Sequence, residues 1–450
     1  MNTPATANES NIVSINVGGR IFQTTKQTLT LAGTDSPLSK LATESSTRFL
    51  DRDPALFSVL LYILRTGNLP ARSTSDVRDL IEESRHYGIE PFLIDSLSNP
   101  SQFEAFDLRK SRVLRLNGRD SPSTIAPTGG GGLHVAHGSK ITSFDWSLRR
   151  KSTVLTNFSA VDSLLEISPG VLAAGATDFP GLQIIDLESG GSVQTALNWE
   201  NVASSTVQAV GSSSEFLFAS FESSRRNSNS VMVYDLSTLL PVLELDRGSD
   251  SSAIPSTKLR WIGSCNLLMV SGSHASPSGV SGHVRFWDVR SRNMVCEINE
   301  REDCFADVTV SENLSAVFKV GVSSGEVFYT DLRGLGGGKE GDRWVCLGEE
   351  RKRSLNERKG VGCKIESYGD HVFCSKGDGI ELWSEVITGL VGNARRDVLE
   401  ERVFRKNSFV AGSGENKVTG LVFGGSRMFV TRKDQQAVEV WQSSSRGVSM

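Results

Sequence analysis

No cysteine precedes Cys265 in this chain of 450 residues. The six present (Cys265, Cys296, Cys304, Cys346, Cys363, Cys374) include no C-x-x-C pair and no histidine at zinc spacing. That excludes a thiolate metal clamp in the first half, and the later thiols read as small buried hydrophobes. An excess of one charge is also missing, with 48 basic against 52 acidic residues. Residues 1–105 hold 9 basic and 12 acidic side chains and the remainder holds 39 and 40, so neither part is a polycation and no nucleic-acid partner is expected. The longest apolar run, Leu56 to Leu64, has nine residues including Ser58, against about 20 for a membrane span, so no membrane insertion is expected. Met1 to Ser10 is polar and lacks the apolar centre of a secretion signal. It reads as a disordered start, and the cytoplasm is the expected compartment, with the nucleus as the other one allowed.

Catalytic signatures are equally scarce. Gly321-Val322-Ser323-Ser324-Gly325 has the letters of a hydrolase elbow, but strand-like runs flank it on both sides, so a hairpin turn is expected. Gly334 to Gly341 contains Lys339 followed by Glu340 rather than Ser or Thr, which reads as a loop and not a phosphate cradle. Arg351-Lys352-Arg353 lies in a mixed-charge stretch and reads as solvated loop. The six histidines are scattered without a partner base or ligand; His86 reads as a packing residue. No catalytic, cofactor-binding or metal residue is assigned, no cofactor is expected, and an enzyme is not the leading expectation.

What the sequence has is two textures. From Ile12, the alternation Val13, Ile15, Val17 stops at Gly18-Gly19, a strand entering a turn, with a return strand through Ile21-Phe22. Ser36-Pro37 and Asp53-Pro54 each supply an N-cap and a first-turn proline. The second of these helices carries Leu56, Phe57, Leu60, Leu61, Ile63 and Leu64, a stripe wide enough for burial on more than one side, and ends at Gly67. A third helix starts near Ser75, shows Val77, Leu80, Ile81 and Ser84 on one face, and stops at Gly88.

Beyond about residue 108 the chain turns to short apolar runs between Gly, Ser, Asn and Asp, the pattern of many antiparallel strands. One segment recurs: Ile141 to Trp146, Leu182 to Leu187, Val231 to Leu236, Val284 to Val289, Val327 to Leu332, Ile380 to Ser384 and Val438 to Gln442. Its equivalent positions Asp145, Asp186, Asp235, Asp288, Asp331, Ser384 and Gln442 are 41 to 58 residues apart, which is the length of a propeller blade. Serine-rich stretches at Ser223 to Ser230 and Ser271 to Ser281 read as exposed loops between strands.

The string Val17-Gly18-Gly19, Phe22, Thr24-Thr25, Thr28-Leu29, Asp35-Ser36, Phe49 through Pro54, Phe57 and Leu64 through Gly67 resembles the potassium-channel tetramerisation subclass of BTB/POZ domains. The later repeats resemble degenerate WD-repeat propellers; Trp287-Asp288 is the one literal Trp-Asp pair, and the usual upstream Gly-His is absent. The expected architecture is therefore an α+β BTB/POZ domain over residues 11–105 and an all-β propeller over 106–450, with seven blades, or six as the competitor. Trp287, Asp288, Asp235 and Asp186 are assigned as structural residues of the blades.

The resemblance implies a closed ring of four or five copies. It further implies a cullin-3 scaffold as partner, so that the chain acts as a substrate adaptor of a ubiquitin ligase and the propeller holds a substrate protein. A non-degradative oligomeric scaffold or ion-channel accessory is the alternative. It places cullin docking on Thr47 to Asp53 and His86 to Phe92, with Phe49, Leu50, His86 and Tyr87 as candidate contacts. Phe49 is either a docking anchor or a core strand residue. Asp51-Arg52-Asp53 is either a helix start, with Asp53 as cap, or an intersubunit seam in which Arg52 meets an acid of the next copy.

Overall fold

The computed structural model describes residues 11–33, 36–43, 49–70, 77–99, 103–199, 204–223, 228–248, 254–276, 279–300, 303–334, 344–348, 359–386, 402–409 and 416–443. The expected disordered start through Ser10, and also Thr47, Ser75, Lys339 and Arg351 to Arg353, lie outside them.

In the N-terminal unit β1 (Ile12–Val17) and β2 (Arg20–Thr25) form a hairpin across Gly18-Gly19. Both glycines have positive φ, 53° and 89°. A Cβ on Gly18 would stand 2.5 Å from the Arg52 carbonyl, so glycine is what lets the chain before the long helix lie against this turn. Helix α1 (Lys26–Thr30) is capped by Thr25, whose Oγ1 accepts from Thr28 N. Helix α2 (Pro37–Thr43) follows Ser36, whose Oγ accepts from Ser39 N at 3.1 Å. Strand β3 (Phe49–Leu50) runs parallel beside β1.

Helix α3 (Pro54–Thr66) buries Phe57, Leu60, Leu61, Ile63 and Leu64 and ends on left-handed Gly67. Helix α4 (Val77–Tyr87) places Leu80, Ile81 and Ser84 inward, and α5 (Glu90–Ser98) packs beside α3 and α4. The wide stripe of α3 is explained because sheet residues such as Val17 and Phe22 and helix residues such as Leu80 and Leu93 share one core with it.

The chain then crosses to a second body. Phe103 meets Tyr368, Phe373 and Phe423 edge-on with ring centroids 5.0, 5.9 and 5.6 Å apart. Strand β4 (Leu108–Arg115) pairs with Ala437–Ser443 near the other end of the chain. The remaining strands form, with β4, seven four-stranded antiparallel sheets among the described residues, spanning 124–155, 163–197, 206–248, 258–300, 305–346, 365–409, and 418–443 completed by β4. Their first strands stand side by side in succession, and Val418–Gly424 lies beside Thr124–Pro127, which closes the circle.

Every copy of the recurring segment falls on the third strand of its sheet. Gly321 to Gly325 is the turn of a hairpin between Ala316–Gly321 and Val327–Asp331. Ser271 to Ser281 is not a loop, however. It lies along paired strands Leu267–Ser276 and Gly279–Asp288, with Ser271 buried. Ser223 ends one strand and Ser230 lies inside the next, and both are buried. Cross-strand pairing keeps such small polar residues inside a sheet, and composition alone reads them as loop. Among the described residues no helix is long and apolar enough to cross a membrane.

The two bodies touch. Ser426 Oγ donates to Leu97 O at 2.7 Å, and Trp146 packs on the N-terminal core. Arg427, 5% exposed, donates to Gly131 O at 2.9 Å and to Trp146 O at 2.5 Å, so it secures the turn that carries that tryptophan.

Candidate interaction surfaces

The loop before α3 starts the helix as a cap, and its arginine pairs within its own chain. Asp53 Oδ1 accepts from Ala55 N at 2.6 Å and Leu56 N at 3.4 Å, the geometry of a helix cap. Arg52 turns to α4 of its own chain: Nη1 is 3.4 Å from Glu83 Oε2, and Nη2 donates to His86 Nδ1 at 2.9 Å. Asp51 is exposed. Glu83 is buried, and behind it Tyr87 sits in the core against Phe57. Burial, and then the Glu83 carboxylate, push the Tyr87 hydroxyl well above the usual phenol range.

Of the four residues assigned to a docking surface, Phe49 is 58% exposed and His86 is exposed, while Leu50 is partly buried against the core. Tyr87 is 1% exposed, so its side chain offers nothing to a partner. Seven residues separate it from Leu80, and that helical period is the sequence signal for its burial. Phe49 pairs with Asn16, which also pairs with Ile21. Cross-strand partners share a face, so Phe49 and Ile21 flank Asn16 on the outer side of the sheet, with Ile12 further along β1. All three apolar residues are more than half exposed. The residues thus form a rim of apolar side chains beside a charged loop braced by α4.

In the propeller the repeat acids make turns. Asp186 Oδ1 accepts from Glu188 N at 2.8 Å and Ser189 N at 3.3 Å, and Asp288 Oδ1 from Arg290 N at 3.0 Å and Ser291 N at 3.4 Å. Asp235 accepts from the Ser237 and Thr238 hydroxyls and both amides. The Ser237 hydroxyl above all holds its carboxyl down to about 2. Trp287 is half-buried and packs on the cluster containing Phe218, Leu268 and Val289.

The central channel holds ionisable groups that no sequence motif revealed. A cavity of about 370 Å3 is bounded by first strands of several sheets. In it Lys258 Nζ reaches Asp307 at 3.1 Å and Glu366 at 3.3 Å, and Arg260 also contacts Glu366. Asp307 further accepts from the amides of Val308 and Ile365. These charges neutralise one another, as a structural network does.

Residues 13–97 match the BTB/POZ domain family, and residues 118–443 match the family described as At2g24240-like, C-terminal beta propeller. The chain belongs to this family of BTB/POZ propeller proteins. It is 80% identical, over the full length of both chains, to the BTB/POZ domain-containing protein At5g41330 of Arabidopsis thaliana. It is 26% identical to At4g30940 of the same plant over 96% of this chain and 97% of that one. Its BTB/POZ domain also resembles that of human KCTD3, with 38% identity over 20% of this chain and 12% of the other.

Proposed function

We propose that this BTB/POZ propeller protein is a substrate-specific adaptor of a cullin-3 ubiquitin ligase. The BTB/POZ domain self-associates into a ring of four or five copies and docks the cullin, and the propeller recruits the protein to be ubiquitinated. No catalytic step is assigned to the chain itself.

The observation that carries the reading is Phe49. A phenylalanine more than half exposed on a strand, next to a loop that Arg52 fastens to Glu83 and His86, is a preorganised apolar anchor. Truncating such an anchor costs about 2 kcal/mol or more of binding. A ring multiplies weak propeller contacts through effective concentration, which suits an adaptor.

The test is cullin-3 capture by full-length protein and by Phe49→Ala, with mass by light scattering. The reading expects capture by the first, loss in the second, and an assembled, folded protein in both. A folded wild-type ring that captures no cullin-3 supports a non-degradative scaffold instead.

A further inference from the structure

The junction between α5 and the propeller forms a half-open cavity of about 790 Å3, within the range of roughly 300–1,000 Å3 typical of small-molecule sites. Ile94 of the BTB/POZ domain supplies one wall, and Phe144, Trp146, Pro169 and Leu187 of the first two sheets supply the others. Most of this lining is apolar, so a ligand's hydrocarbon body gains by entering it.

The polar part of the cavity is constructed rather than incidental. His134 and Ser143 are buried cross-strand partners, with His134 Nδ1 2.9 Å from Ser143 Oγ. His134 Nε2 is 3.4 Å from Glu166 Oε1, which also accepts from Gly170 N. Both ring nitrogens are engaged, so the imidazole fixes Glu166 in place. Glu166 Oε2 makes no hydrogen bond among the described residues. Charged groups on the lining are three carboxylates, Asp145, Glu166 and Glu188, against the single ammonium of Lys151.

We propose that this cavity binds a small arylalkyl amine, with its ammonium on Glu166 and its ring between Ile94, Trp146 and Leu187. A cation offsets the excess of carboxylate over ammonium on the lining. An acid of the same shape meets repulsion, and a neutral analogue gains the apolar contribution alone. The bound molecule would touch both domains at once. This site is independent of cullin docking.

Calorimetry on the full chain tests the idea with three probes of similar size: phenethylamine, 2-phenylethanol and phenylacetate. The amine is expected to bind one per chain, at least tenfold tighter than the alcohol, with the acid weakest. Glu166→Gln should erase the preference of amine over alcohol. Ile94→Trp should obstruct the ring position beside Trp146 and Leu187 and weaken binding of all three about tenfold or more, with a tryptophan-fluorescence melt verifying that each variant is folded. Saturable amine binding that weakens in this pattern supports the site. No saturable binding by folded wild-type protein, equal binding of amine and acid, or amine binding unchanged in Glu166→Gln overturns it.

Discussion

Lys110 Nζ lies 3.1 Å from Glu439 Oε1 although 329 residues separate them in sequence. The same carboxylate accepts from Arg432 Nε at 3.0 Å, Arg432 Nη2 at 3.3 Å and Trp441 Nε1 at 3.1 Å. Arg432 is fully enclosed and also donates to the carbonyls of Asp378 and Asn416. Glu439 therefore joins β4 to the sheet it completes while neutralising a buried guanidinium.

Glu439→Gln would leave that guanidinium without its counter-charge, and a cost of about 3–5 kcal/mol is expected. Lys110→Ala, at a third-exposed position, should cost about 1 kcal/mol or less. All seven tryptophans lie between Trp146 and Trp441, so denaturant unfolding followed by their fluorescence reports chiefly the propeller, with Trp146 at the junction as the exception. Equal midpoints for Glu439→Gln and wild type would refute the assignment.

Trp287→Ala should destabilise the propeller by roughly 3 kcal/mol, because the indole packs on the Phe218 cluster. Assembly through the BTB/POZ domain should survive. Limited proteolysis and light scattering on the same sample separate the two outcomes.

Arg52→Ala removes a partly exposed arginine that forms an ion pair with buried Glu83. If that intrachain pairing is its whole role, a loss of about 1 kcal/mol with intact assembly is expected. A folded variant that falls apart into monomers would instead assign Arg52 to a seam between copies.

His137 is buried beside Thr142 Oγ1, and burial, reinforced by Lys140, lowers its pKa from the ordinary 6.5. A folded-state value below the unfolded one means the unfolded chain takes up the proton first. The contribution of neutral His137 is thus complete above about pH 6.5 and lost as pH falls through the folded value. Between pH 7.5 and pH 5.5 the unfolding midpoint of wild type should fall further than that of His137→Gln. His371, lowered by burial as well, contributes the same slope to both proteins and cancels in the comparison.

The parts of this fold legible in the sequence are those where local pattern and burial coincide. Third strands such as Leu182–Asp186 and Val327–Asp331 lie inside their sheets and read as alternating apolar runs ending in an aspartate turn. Helix α3 announces itself through Asp53, Pro54 and Gly67. Outer strands are a different matter: β4 buries only Leu108 and Leu114 of its eight residues, and its partner is at the far end of the chain. The exposure of Phe49 was equally hidden, since a two-residue strand has no period and only the packing of neighbours decides which face is covered. The junction cavity joins Ile94 to residues such as Glu166 that no motif connects.

The closing role of β4 bears on how these molecules are made. This strand leaves the ribosome directly after the BTB/POZ domain and waits through more than three hundred residues for Ala437–Ser443. During that interval the nascent propeller has an open edge, and in the proposed ring the copies gathered by their BTB/POZ domains would hold equivalent strands at high local concentration. Every donor strand then matches every acceptor sheet in the assembly. Exchange of β4 between neighbours would preserve each pairing while interlocking the subunits, a topology distinguished from simple association by its persistence when the BTB/POZ contacts are dissolved.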